Sequence, residues 1–278
     1  MQPITNLLIT ASCKAVKFLK RDFLELEMLQ RSNKGNYDFC NKSYIKTQDL
    51  LRNELQKYTS SLFFPEDKFE LDNASEMVLL INPLDSLSNL EKSIPFFAVS
   101  ITCLKKINKI LTTVCTVINF PALDEIYYVE KGKGVWVGNN TTNNSGRLRV
   151  SACSSFDNFL ISTDDLNINP VFLKNARVFG SHCYGMLLLA AGKIDAVYFS
   201  SLNYTLKASF NLIVRESGGA IINNDKTFVA TNYELSEKFK HLLLEKTSMS
   251  SYFFVAKNFY FYFFVVSYTI LLGISFLA

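Results

Sequence analysis

Histidine and cysteine chemistry is narrowly bounded in this chain. Only His182 and His241 are present, too few for a histidine-rich metal site, and they leave few routes to a Ser-His-Asp triad. The six cysteines, Cys13, Cys40, Cys103, Cys115, Cys153 and Cys183, form no Cys-x-x-Cys pair. They read as small buried residues of a reduced compartment. His182 and Cys183 adjoin, but no orienting acid follows at Gly185, so no Cys-His nucleophile is expected. Polar side chains also occur at Glu66-Asp67, in the run from Asn82 to Leu87, and at Gly180-Ser181. Taken alone, Asp85 suits a helix N-cap, Glu66 and Asp67 suit a solvated loop, and Gly180-Ser181 suits a strand-to-helix turn. A metal or phosphate role is the alternative for each, and the wider pattern has to decide.

The elements that would position these residues can be read from periodicity. Apolar residues recur at helical spacing from about 3 to 31 (Leu7, Leu8, Ala11, Ala15, Val16, Leu19, Phe23). A polar loop is expected at 34–38, with Lys34 and Asp38 at its tip, and a second helix over 44–58. Strand-like runs follow at 77–81, 96–104 and 111–120, then a hairpin over 125–137 that turns at Lys131-Gly132-Lys133-Gly134, where the two lysines read as solvated. Helices first and sequential strands after them imply a helix layer on an antiparallel sheet. Beyond residue 159 the rhythm alternates: strands at 159–162, 177–179, 194–199 and 220–222, and helices at 183–191, 207–216 and 233–244. Gly218-Gly219 stops the second of these helices.

Composition excludes other classes. The chain has 278 residues, 49% hydrophobic and 19% charged, so it is not a disordered polymer. A net charge of +4, from 29 basic and 25 acidic residues, gives no electrostatic case for a dedicated nucleic-acid binder. The stretch 258–278 carries no charged residue. At about 1.5 Å per residue it reaches roughly 31 Å, the thickness of a bilayer's hydrocarbon core. With Lys257 and Tyr252, Tyr260 and Tyr262 near one edge, it reads either as a C-terminal anchor to the inner membrane, leaving the folded part cytoplasmic, or as decayed tail sequence.

The run Asn82-Pro83-Leu84-Asp85-Ser86-Leu87-Ser88-Asn89-Leu90 resembles the Asp-Pro-x-Asp-Gly-Thr-Thr-Asn-Phe signature of the inositol monophosphatase family. The following Pro95-Phe96-Phe97-Ala98-Val99-Ser100-Ile101 is similar to the family's next strand. Pro121-Ala122-Leu123-Asp124-Glu125, Glu130 to Gly134, Phe179-Gly180-Ser181, Ala190 to Asp195 and Val214 to Gly219 resemble its later motifs, in order. Met1-Gln2-Pro3 and Lys34 to Phe39 look like the bacterial extragenic-suppressor branch. The resemblance covers about residues 1–246. It implies the family's layered fold, an α+β half with an antiparallel sheet (1–150) followed by a mixed α/β half (151–246), with 247–278 as a hydrophobic tail. It also implies a homodimer, and Mg²⁺-dependent hydrolysis of a phosphate-bearing small molecule such as inositol 1-phosphate or a related sugar phosphate.

Carried over position by position, the resemblance places metal ligands at Glu66, Asp67, Asn82, the Leu84 carbonyl and Asp85, and substrate contacts at Ser86, Leu87, Gly180 and Ser181. Several positions depart from the pattern. Asn82 stands where the family has an aspartate, and Leu87 where it has a threonine that helps activate water. Tyr44 replaces that threonine's partner carboxylate, with Asn41 in place of the motif's own threonine. Counting back from Gly218-Gly219 puts Thr205-Leu206 on the family's Trp-Asp pair, and Phe199 on the acid that contacts substrate hydroxyls. No Asp or Glu occurs between Asp195 and Glu216. Mg²⁺ takes oxygen ligands and gives up water reluctantly, so these changes imply weak metal binding and a phosphatase-like hydrolase with little or no activity, a pseudoenzyme; the alternative is a working Mg²⁺-dependent phosphatase of inositol 1-phosphate or a related sugar phosphate.

Overall fold

A computed structural model describes residues 1–29, 36–67, 75–139, 146–168, 170–223 and 227–241. Helix α1 (Pro3–Leu29) opens on a proline, whose missing N–H has no partner to lose at a helix start. Its residues Leu8, Ala11, Ala15, Leu19 and Leu26 recur at three-, four- and seven-residue spacing and are all buried. Helix α2 (Asn36–Leu55) lies beside it.

Both helices cover one face of a seven-stranded sheet. Its strands follow chain order: β1 (Leu62–Phe63), β2 (Met77–Asp85), β3 (Ala98–Ile107), β4 (Ile110–Phe120), β5 (Glu125–Glu130), β6 (Gly134–Asn139) and β7 (Gly146–Leu148). Only β1 and β2 pair in parallel; the other neighbours are antiparallel. Alternation sorts the side chains. Leu79, Ile81, Val99, Ile101 and Val117 pack with α1 and α2. Val78, Leu80 and Leu104, and separately Ile118, Phe120, Val129 and Val135, face the opposite layer. Covered on both sides, β2 reads as a continuous apolar run.

That opposite layer consists of α5 (His182–Ala190) and α6 (Tyr204–Ser217). The short helices α3 (Leu87–Glu91) and α4 (Pro170–Leu173) precede them. Beyond lies a mixed second sheet in the order β11 (Gly219–Asn223), β12 (Phe228–Asn232), β10 (Ala196–Phe199), β8 (Ile161–Thr163), β9 (Ala176–Arg177). Val197, Phe199, Phe228 and Ala230 meet α5 and α6, while Ala196, Tyr198 and Val229 pack with Leu235 and Phe239 of a closing helix over 233–241. The layers thus run helix, sheet, helix, sheet, helix, a mixed α/β fold.

Several boundaries differ from the periodicity reading. Helix α2 begins at Asn36, so Tyr37 and Asp38 are helical rather than a loop tip; Asp38 in the first turn complements the helix dipole. Lys34 lies outside the described residues. Strand β12 and helix α3 are absent from the sequence reading, because five-residue elements carry too little periodicity to stand out. Of the cysteines, Cys40, Cys103, Cys115 and Cys183 are buried, whereas Cys13 and Cys153 are half-buried; all six are free thiols. No helix among the described residues is long and apolar enough to cross a membrane, and 258–278 lies outside them.

Candidate functional site

The site is organised where β2 ends. Its register against β3 shifts between Asn82 and Asp85, at Pro83, which has no N–H to donate to a ladder. Asn82, Leu84 and Asp85 are all buried. Asp85 turns across the fold: its Oδ2 accepts from Ser181 Oγ at 2.5 Å and from the Cys183 N–H at 3.0 Å. Ser181 is the N-cap of α5, and its Oγ accepts from the Tyr184 N–H at 3.0 Å. A carboxylate beside the first turn of a helix is favoured by the unpaired N–H groups there. Asp85 therefore caps α5 from another element, and Ser181 and the start of α5 meet Asp85.

Ser86 holds φ 72 and caps α3, its Oγ accepting from the Asn89 N–H at 3.3 Å. A non-glycine residue in this left-handed region costs about 1–2 kcal/mol. Ser86→Gly is expected to stabilise the fold by about 0.5 kcal/mol, the relief of strain exceeding the few tenths lost with the cap. Ser86→Ala keeps the strain, loses the cap, and should cost about 1 kcal/mol; urea unfolding of both variants checks the two signs. Leu87 is half-buried against the α1–α2 cluster, and Leu84 belongs to it, so the Leu87 side chain serves packing.

Asn89 is the residue the sequence reading missed. Its Nδ2 donates to the Phe96 carbonyl at 2.7 Å and to the Phe179 carbonyl at 2.9 Å, joining the β2–β3 connection to the segment before α5. Gly180 follows with φ 71, and a Cβ there would lie 2.8 Å from Asn89 Oδ1. The glycine is required by this close approach. The Asn89 position in the motif offered a signal, but its partner at Phe179 is 90 residues away.

The acidic pair has its own hydrogen-bond partners. Asp67 Oδ2 accepts from the Phe64 N–H at 2.8 Å and closes its own turn. Glu66 accepts from Tyr44 Oη at 3.2 Å and from Gln48 Nε2. Tyr204, at the start of α6, donates to the Phe64 carbonyl at 2.6 Å. Burial, followed by the Glu66 charge, pushes the Tyr44 phenol up to about 12. Burial also raises Tyr204 to about 12, helped by Asp67 and Glu66. Both tyrosines thus stay protonated donors around the acidic turn.

Leu206 is 2% exposed and packs with Phe199 and Phe210 in the layer between the sheets. Neither Leu206 nor Phe199 offers an oxygen side chain there. Among the described residues, no group of three or more His, Cys, Asp or Glu side chains is placed to hold a metal ion. Glu66, Asp67 and Asp85 each accept hydrogen bonds from the protein.

His182 has the orienting acid that neighbouring sequence did not reveal. Its Nε2 lies 3.0 Å from Asp164 Oδ2, and Asp164 Oδ1 accepts from the Ser200 N–H at 2.6 Å. The imidazole meets the Phe199 ring edge-on at 4.8 Å. Burial alone would lower the His182 pKa. The Asp164 hydrogen bond and the charges of Asp85 and Asp164 outweigh it and hold the imidazole above its ordinary 6.5. Burial likewise opposes the Asp164 carboxylate, yet His182 and the Ser200 N–H keep its pKa below 3.8. Burial pushes the neighbouring Cys183 thiol well up, with Asp85 adding to it. Cys183 is therefore a protonated core thiol and no nucleophile.

A raised histidine stabilises the fold below its unfolded pKa and loses that contribution as pH rises through the folded value. A depressed aspartate contributes above its unfolded pKa and loses that contribution as pH falls through the folded value. The pair is strongest between the two ordinary values. Asp164→Asn should cost about 0.5–1 kcal/mol at about pH 5.5, and less at about pH 8.5, in urea unfolding at both pH values. Equal losses at the two would show that the ion pair adds no stability.

Comparison with known proteins agrees with this architecture. The inositol monophosphatase family model matches residues 1–252. An inositol-1-monophosphatase of Mesorhizobium japonicum is 29% identical over 235 residues, covering 80% of this chain and 86% of that protein. One from Rhizobium meliloti is 31% identical over 234 residues, covering 78% and 84%. The crystal structure of the extragenic suppressor protein suhB from Bartonella henselae superposes with a TM-score of 0.70 at 27% identity, covering 87% of this chain and 99% of that one. Because the family match runs from the first residue through the closing helix, and the layers match those of a solved relative, the chain belongs to the inositol monophosphatase family.

Proposed function

We propose that this chain is a family member in which metal-assisted hydrolysis of phosphate monoesters is weak or lost, and that it acts as a binding protein on the family scaffold. The observation that carries this reading is Leu206, an apolar core residue at the position where the resemblance places a metal-binding aspartate. Asn82 at a second ligand position, and the engagement of Asp85 with Ser181 and Cys183, point the same way. The removal of several transition-state partners lowers rate in one direction, although their effects do not add simply. Mg²⁺ binding is accordingly weak.

The test is phosphate release by the purified full-length chain from a panel including inositol 1-phosphate, at millimolar Mg²⁺. Turnover below about 10⁻² s⁻¹ is expected, against about 1 s⁻¹ or more for an ordinary enzyme. The relatives named inositol-1-monophosphatase favour the second reading, an active Mg²⁺-dependent enzyme. Turnover at the ordinary rate would establish that reading instead.

The uncharged stretch 258–278 supports a further element of the proposal, anchoring of the folded part to the cytoplasmic face of a membrane. Full-length protein should then need detergent for extraction. Recovery in the soluble fraction after ultracentrifugation, monodisperse without detergent, would contradict it.

A further inference from the structure

We infer that the cleft between the start of β4, the β5–β6 turn and the last turns of α6 is a second ligand site, one that takes a small polyanion of the phosphate class. It stands apart from the Asp85–Ser181 region and independently of the proposal above. The cleft has a volume of about 430 Å³, within the range of small-molecule sites. Lys131 and Arg215 line it from two elements, with Thr112, Thr113 and Asn211 supplying hydroxyl and amide groups.

The two cations are held in place by a clamp. Glu216, at the end of α6, accepts the Gly132 N–H at 2.6 Å and the Gly134 N–H at 2.9 Å. This fastens the turn that carries Lys131 to the helix that carries Arg215. Among the described residues Glu216 is the only acid lining the cleft, and each of its carboxylate oxygens already accepts one of those N–H groups. Arg147 adds positive charge next to the clamp: a Cβ on Gly134 would lie 2.8 Å from its Nε. Among the described residues no ion pair occupies Lys131 or Arg215.

A solvated hairpin would leave these lysine and arginine groups independent. Here the backbone geometry brings them to one concave surface before any ligand arrives, which reduces the ordering that binding must impose. Phosphate oxygens suit this lining, since arginine offers a planar fork and lysine a point charge. The threonine hydroxyls and the asparagine amide suit oxygens of the same ligand.

The test titrates the full-length chain with inorganic pyrophosphate by calorimetry, in chelator so that no metal-dependent binding contributes. Saturable binding with a stoichiometry near one is expected. Lys131→Gln with Arg215→Gln should weaken it at least about tenfold, and raised salt should weaken it further. Both side chains are exposed, so the unfolding midpoint of the double variant should match that of the parent. Thr113→Val, which leaves both charges in place, provides an independent variant and should weaken binding by a smaller factor. Lys193→Gln, exposed elsewhere, should bind as the parent does. Equal affinity in the parent and the Lys131/Arg215 variant would overturn the site, as would no binding at about 1 mM.

Discussion

Replacing Leu206 by aspartate is expected to destabilise the protein by about 3–5 kcal/mol in the absence of metal. Two costs combine. The leucine leaves a packed layer in which it is 2% exposed and shares a core cluster with Phe199, Phe210 and Ile213. The carboxylate that replaces it must be desolvated in this apolar layer, so it takes up a proton and its pKa rises. Adding Asn82→Asp restores both anionic ligands that the family resemblance implies. Mg²⁺ is then expected to bind the folded state only, so that the double variant gains stability with rising Mg²⁺ by mass action. The unmodified chain should show no such gain. Thermal melts with and without about 10 mM Mg²⁺ make the comparison.

Turnover should lag behind metal binding in this series. Tyr44 and Leu87 stand where the family resemblance implies the water-activating pair, and Tyr44 donates to Glu66. Tyr44→Asp brings a second carboxylate beside Glu66, which is unfavourable unless a cation lies between them. The quadruple variant with Leu87→Thr is therefore expected to be the first with a large gain in phosphate release, about 10²-fold or more over the double variant. A gain of that size from Asn82→Asp and Leu206→Asp alone would place water activation on other residues.

The second large effect belongs to Asp85. Asp85→Ala should cost about 2–4 kcal/mol in urea unfolding carried out in chelator. The substitution strands the buried Ser181 hydroxyl and the Cys183 N–H, and both bonds tie the first sheet to α5. Asp85→Asn keeps an acceptor without the charge and should cost less than alanine. A carboxylate that served only as a metal ligand would repel its surroundings in chelator, and its removal would be neutral or stabilising. The sign of this one change therefore separates the structural role of Asp85 from a purely ligating one.

Local information was enough to locate three of the long elements. The spacing of Leu8, Ala11, Ala15 and Leu19 marks α1, the continuous apolar run marks β2, and Gly218 in the left-handed C-cap ends α6 at the expected residue. The motif order alone identified the family and the layered fold, because turns and strand ends carry distinctive residues wherever the chain reverses. The sequence also determined, by simple absence, that no acid lies between Asp195 and Glu216.

Partnership was decided only by the tertiary structure. Asp85 reads as the cap of its own helix, yet Ser86 caps α3 and Asp85 caps α5, 96 residues beyond Asp85 at Ser181. His182 reads as a histidine without an orienting acid, yet Asp164 reaches it from the end of β8, 18 residues earlier. Lys131 reads as a solvated turn residue until Glu216 draws that turn against α6. The physical reason is the same in each case. Backbone periodicity is set by neighbours three or four residues apart in a helix, or two apart in a strand. A buried carboxylate, by contrast, takes whichever donors the packed layers bring within about 3 Å, and the distance between them along the chain places no limit on that choice.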